Sequence, residues 1–214
     1  MRAFLAAALL ATGLVATAAP AHAQRADCAF ADNPVRTEPW FKKHKPELTE
    51  GQRKAAIVLM EGFASNAIRC LVNAERARVG VAPLEDSYRL YKAADEHVQA
   101  ARLIKWWIDR PEDPENTQWH INPVTHSDVG VRVRAAGYCP TGTWQVKENV
   151  FSGWDGTATP RAAVRWWMSS GKHRAAILDP AMKQTGISVR YGKARPRLST
   201  DVAMLTTEVF GFCR

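Results

Sequence analysis

The stretch Trp166–Pro180, WWMSSGKHRAAILDP, decides how the second half of the chain is built. Pro160 suits a first helical position, opening a helix over RAAVRWWMSS that must stop before Gly171. His173 then stands at the start of a second apolar run, which Asp179 and Pro180 close. A histidine at a helix start meets partial positive charge and free N–H groups, which favour the neutral imidazole. Neutral imidazole is the form that ligates a metal or accepts a proton. By itself His173 is either a surface residue or one part of a site assembled from distant chain.

Working outward, the flanking periods separate helices from strands. Thr49 caps a helix whose apolar positions run Ala56, Leu59, Met60, Phe63, Ala67, Ile68, Leu71 and Val72, with Gly80 as its stop. Asp86 or Ser87 caps a second helix, YRLYKAADEHVQAARLIKWW, to about Trp107. RPEDPENTQWHINP (110–123) is a loop, and a short helix follows over 127–136, ended by Gly137. WQVKENVFSG, QTGISVRYG and DVAMLTTEVFGF read as strands, the last two separated by the basic turn KARPRLST. Helices first and strands mostly late indicate one α+β domain rather than βαβ units.

The first 23 residues have a basic start, a short apolar run and Ala21-His22-Ala23, the layout of a secretory signal peptide with the mature chain beginning at Gln24. Residues 24–48 carry charge, Pro and isolated aromatics without a period, and read as an extended arm before a domain over 49–214. No later segment is a long uncharged apolar run, so the protein is not expected to be an integral membrane protein. An exported chain of this kind goes to the periplasm or the medium.

The formal net charge is +8, one unit of it from Arg2 in the leader. The cations are spread and not interleaved with aromatics, which argues against nucleic acid and leaves anionic envelope polymers or headgroups as attractors. Cys28, Cys70, Cys139 and Cys213 all follow the leader; an even count in an exported chain indicates two disulfides. None is close to another in sequence, against a zinc knuckle. Of three connectivities, Cys28–Cys70 with Cys139–Cys213 is favoured, the first tying the arm to the first helix.

Six histidines compete for a functional role. His22 leaves with the leader, His44 sits among lysines, His97 reads as a satisfied structural histidine, and His120 is as readily exposed as not. His126 and His173 each stand where a loop enters a helix. No His-Glu-x-x-His helix and no nucleophile elbow is present.

Taken in order, CLVNAERARVGVAPLEDSYRLYKAADEHVQAARL, NPVTHSDVGVRVRAAGY, KENVFSG and AVRWWMSSGKHRAAILDPAMKQTGISVRY resemble the CAP superfamily. This is the family of cysteine-rich secretory proteins, pathogenesis-related proteins and venom allergens, and the likeness is to its bacterial secreted branch, over about 68–212. The resemblance implies a three-layer α–β–α sandwich with a small antiparallel sheet, and an open cavity lined by histidines and acids. Carried onto this sequence, the cavity residues are His126, Glu148 and His173. Ser169 and Ser170 stand where relatives can carry a second acid, so Ser170 lies near the cavity.

His126 and His173 would then hold Zn²⁺ or another divalent cation, weakly, for want of that acid. Glu148 has a plainer alternative as partner of Arg174 or Arg132. The expected function is a secreted binding module for a lipid, an envelope-derived ligand or a protein partner. The alternative is a metal-dependent hydrolase or peptidase with Glu148 as general base. A third reading makes the polar cluster a brace, with function on the surface. Oligomeric state is not readable from the sequence.

Overall fold

The computed structural model describes residues 28–107, 117–196 and 203–214. The leader, part of the long loop and part of the basic turn lie outside the described residues. The arm is not wholly extended: a short helix, α1 (Glu38–His44), forms within it, with Pro39 in the first turn, an i,i+4 Glu38–Lys42 pair and the Trp40 and His44 rings stacked.

The helix opening at Thr49 is α2 (Glu50–Arg78). Its capping box is complete: the Thr49 hydroxyl accepts from the Gln52 N–H, and the Gln52 side chain accepts from the Thr49 N–H. Gly80, at φ 72°, supplies the left-handed turn after it. A two-residue strand, β1 (Glu85–Asp86), precedes α3 (Tyr88–Ile104), which Ser87 caps. α3 stops short of Trp107 because Lys105 is left-handed (φ 61°), which turns Trp107 into the core with Trp119 and Leu205. α4 (Val129–Ala135), capped by Asp128, leads to β2 (Trp144–Trp154). Then come α5 (Pro160–Ser169), α6 (Gly171–Ile177), β3 (Gln184–Tyr191) and β4 (Ala203–Cys213).

The sheet order is β1-β3-β4-β2. β2, β4 and β3 are antiparallel, and β1 adds a parallel edge of two residues, so the sheet is mixed rather than purely antiparallel. Helices α2, α5 and α6 cover one face and α3 and α4 the other, giving the α–β–α sandwich. β4 is buried along nearly its whole length, as a central strand between two helical layers must be.

Two features fix how closely the layers approach. A Cβ at Gly186 on β3 would stand 2.0 Å from the Tyr91 backbone nitrogen, so α3 lies directly on a strand with no side chain there. Across the other face, the fully buried Arg76 donates to the carbonyls of Ala82 (2.7 Å), Ile177 (2.7 Å), Asp179 (3.0 Å) and Met182 (3.0 Å). Asn73 makes a two-way bond with the Leu84 backbone. The Asn73–Arg76 motif and the Ile-Leu-Asp-Pro segment, far apart in sequence, are thereby one structural unit. The disulfides are Cys28–Cys70 and Cys139–Cys213; the second ties the end of β4 to the turn preceding β2.

Candidate functional site

The side-chain alternation of β2 organises the polar residues. Val146, Glu148 and Val150 point to the α3/α4 layer, where Val146 packs near Leu90 and Val150 against Val98 and Ala101. Lys147, Asn149 and Phe151 point to the α5/α6 layer: Lys147 pairs with Asp179 at 2.7 Å, and Asn149 Nδ2 donates to the His173 carbonyl at 3.2 Å.

Glu148 is buried in a cluster of four. Its Oε1 accepts from His120 Nδ1 at 2.9 Å and its Oε2 from the Arg132 guanidinium at 2.7 Å. His97 Nε2 lies 3.9 Å from Oε1 and bonds the Trp119 carbonyl at 2.7 Å. A carbonyl only accepts, so His97 Nε2 carries the proton. Burial drives the His97 pKa down to about 4, and the imidazole is neutral at physiological pH. Burial alone would raise the Glu148 carboxyl; His97, Arg132 and His120 outweigh it and hold the pKa at about 2. With His97 neutral above about 4, Arg132 is the permanent counter-charge.

The same guanidinium shapes the adjoining turn. Arg132 also donates to the Ser127 carbonyl (2.7 Å) and the His120 carbonyl (3.2 Å), while Asn122 Oδ1 accepts from the Val124 and Thr125 N–H groups. The turn 120–127 is therefore pinned at both ends, with Ile121 and Val124 pointing to solvent.

This placement changes the constellation expected from the sequence. Glu148 is joined by His120, not by His126: His126 is exposed at φ 56°, its N–H bonded to the Asn122 carbonyl, on the outside of the turn that Asn122 folds back. His173 is buried, but on the other side of the sheet, against the Trp166 ring (4.8 Å between centroids). Ser170 is the junction of α5 and α6 in that same layer. His126, Glu148, His173 and Ser170 thus do not line one cavity, because Glu148 and Asn149 are strand neighbours and face opposite layers. Of the two plainer partners for Glu148, Arg132 is the one used. His97 and His120, read from the sequence as a structural histidine and a loop residue as readily exposed as not, are the two that sequence reasoning did not place beside Glu148. The available signal was strand alternation, which places Glu148 opposite Asn149 just as it places it opposite Lys147.

The donor set does not fit a divalent cation. Both Glu148 oxygens are engaged, one by a guanidinium that repels a metal, and His97 Nε2 is spent on a carbonyl. His97 Nδ1 is buried without a hydrogen-bond partner among the described residues and His120 is only partly exposed, and two imidazoles are short of the three protein ligands of a catalytic zinc. Among the described residues no group of three or more His, Cys, Asp or Glu side chains is arranged to hold a metal.

An α–β–α sandwich closed by two disulfides, with a His/Glu/Arg cluster buried on one face of its sheet, defines the class of protein. The particular family is the cysteine-rich secretory protein family (CAP), which matches residues 70–204, and the chain belongs to it. Among solved structures it is similar to an extracellular protein containing a SCP domain from Bacillus anthracis (20% identity, TM-score 0.54, 76% of this chain and 43% of that one). It is also similar to an outer surface protein from Borrelia burgdorferi (17% identity, TM-score 0.49, 69% and 90%). A cysteine-rich secretory protein from Staphylococcus aureus matches more loosely (14% identity, TM-score 0.43, 70% and 38%). The chain thus spans less than half of the Bacillus anthracis chain. No curated protein matches it. Two disulfides in a member of this family fit an exported protein.

Proposed function

We propose that the protein is an exported binding module whose Glu148 cluster braces a recognition turn instead of performing chemistry. The observation that carries this reading is the double engagement of Glu148. A general base needs a lone pair directed at its substrate, and both carboxylate oxygens here are hydrogen-bonded inward to Arg132 and His120. The cluster holds the 120–127 turn, and the turn presents Ile121, Val124 and His126 to solvent around the His120 edge. A rigid scaffold carrying a pinned surface loop is the usual construction of a recognition site. Its ligand is an envelope-derived molecule, a lipid or a protein partner.

The double variant Ile121→Ser/Val124→Ser tests this, since both side chains point outward and their loss leaves the brace intact. Expected is capture of an envelope-derived or protein ligand by the native protein, seen by native mass spectrometry, and its loss in the variant at unchanged melting temperature. Zinc-dependent peptide hydrolysis abolished by His120→Ala would refute the reading in favour of the hydrolase. Capture that is equal in both proteins would remove the turn from the binding site.

A further inference from the structure

On the opposite side of the molecule, α2 shows two apolar faces where a surface helix needs one. Its inner face, through Ala64, Ile68, Leu71 and Val72, packs in the core, and it buries Glu61 and Arg76. Its outer face carries Ala55, Val58, Leu59, Gly62 and Phe63, at i, i+3, i+4, i+7 and i+8, all exposed. α2 is the one described helix long and apolar enough to cross a bilayer, but its inner packing makes it a core helix with a surplus outer stripe.

The stripe is built rather than incidental. Phe30 stacks on Phe63 with ring centroids 4.5 Å apart and planes 8° from parallel. It is held there in the left-handed region (φ 64°), a conformation a bulky L-residue adopts only when its surroundings enforce it. The Cys28–Cys70 disulfide, two residues before Phe30, brings the chain into the fold beside the stripe. Phe30, Val58, Leu59 and Phe63 are each between 41% and 62% exposed, a contiguous apolar surface that ordinary soluble surfaces avoid.

Charge decides what covers it. Over 36–54, which spans α1 and the first turn of α2, six Lys and Arg residues face three carboxylates. Glu38 and Glu50 are themselves paired with Lys42 and Lys54, and Lys43 and Lys45 are exposed. Arg36 lies over the Trp40 ring at 4.3 Å. A second copy seated stripe to stripe would bring two chains of the same positive sign, each at +8, against each other. An aliphatic and aromatic stripe with cations at its end is the composition of a helix lying in a membrane interface.

We propose that the outward face of α2, with Phe30 and the basic α1, docks on the surface of an anionic lipid bilayer, which leaves the recognition turn on the far side, directed away from the membrane. The surface shares no residue with the Glu148 cluster, so either reading can fail without the other.

The test is co-sedimentation of the disulfide-intact protein with large unilamellar vesicles. The vesicles are pure phosphatidylcholine or roughly 7:3 phosphatidylcholine to phosphatidylglycerol, and the salt is raised from about 0.1 M to about 0.5 M. Expected is partition onto the anionic vesicles only, weakened by salt. The triple variant Val58→Gln/Leu59→Gln/Phe63→Gln should partition at least about tenfold less with its melting temperature kept, because three half-exposed apolar side chains lose their burial in the interface. No partition, or partition that the triple variant leaves unchanged, overturns the proposal. Sedimentation showing a dimer that the triple variant dissolves assigns the stripe to a second copy and overturns it equally.

Discussion

Replacing Glu148 by Gln keeps the shape of the side chain and removes the charge that Arg132 and His120 hold. The carboxyl pKa is about 2 in the fold against an ordinary 4.5, so folding gains stability from the ionised form. At about 1.4 kcal/mol per pKa unit, that difference is worth about 3 kcal/mol at neutral pH. Arg132 is buried, and stripping one partner from a buried pair costs about 3–5 kcal/mol, because the remaining charge is left uncompensated. For a domain of this size each kcal/mol moves the melting temperature by about 2–4 °C, so Glu148→Gln should lower it by about 10 °C.

The pH dependence carries the sign. A depressed carboxylate pKa contributes stability that is fully present above the unfolded value and is lost as pH falls through the folded value. The gap between the native protein and Glu148→Gln should therefore be open at pH 7 and close between about 4.5 and about 2. Urea unfolding at a series of pH values measures it. The double variant Glu148→Gln/Arg132→Met should recover part of the loss, since it removes the orphaned charge as well. His126→Ala, on the exposed turn, should change stability by less than about 0.5 kcal/mol. A Glu148→Gln variant as stable as the native protein at pH 7 would refute the brace. So would a melting temperature that rises on adding zinc and loses that rise in His126→Ala.

Two further outcomes test the opposite face and the packing of the layers. Burial raises the Glu208 carboxyl to about 8, against the smaller opposing effects of the Thr185 hydroxyl (3.0 Å) and the Arg76 charge. A raised carboxyl contributes stability present below about 4.5 and lost as pH rises through about 8, so the native protein should weaken between about pH 4.5 and 8 relative to Glu208→Gln in urea titrations. Gly186→Ala drives a methyl to 2.0 Å from the Tyr91 nitrogen and 2.2 Å from the Leu90 carbonyl carbon, backbone atoms that cannot move aside. It should cost about 3 kcal/mol or more, read as a loss of soluble folded protein or a drop in melting temperature by circular dichroism.

The helices and strands were legible in the sequence because each was marked twice, by its period and by its ends. Thr49 with Gln52, and Gly80 beyond Arg78, bound α2 to the residue; Thr159 and Pro160 open α5 in the same way. The disulfide pairing favoured among the three possible ones is the pairing observed, but tying the arm down did not by itself single out Cys70 as the partner of Cys28. α1 was not legible, since seven residues of Pro, Trp and Lys show no period, and its formation depends on Phe41 reaching the core. Of the four expected cavity residues, only Glu148 belongs to the buried His/Glu/Arg cluster. The two candidate histidines of the NTQWHINPVTHSD segment are six residues apart. Which one turns inward depends on Asn122 folding the turn and on Trp119 entering the core, both tertiary events. The separation of Glu148 from His173 follows from alternation on β2, once Asn149 is known to reach His173.

The residues that carry the family likeness are, in this chain, mostly structural ties. Asn73 holds the Leu84 turn, Arg76 gathers four carbonyls from two segments, Asn149 holds α6 through His173, and Glu148 holds the 120–127 turn through Arg132. Removing Arg76 or Arg132 alone would leave buried carbonyls or a buried carboxylate without a partner, and each of the two fixes one arrangement of loops among many. A scaffold specified in this way leaves its exposed segments free to differ without disturbing the core. Ile121, Val124 and His126 on one side, and the α2 stripe with Phe30 on the other, are the two surfaces to which the proposed function is assigned. Variants that silence function while leaving the melting temperature alone should fall in those two surfaces, whereas changes at Asn73, Arg76, Glu148 or Arg132 should lower stability and function together.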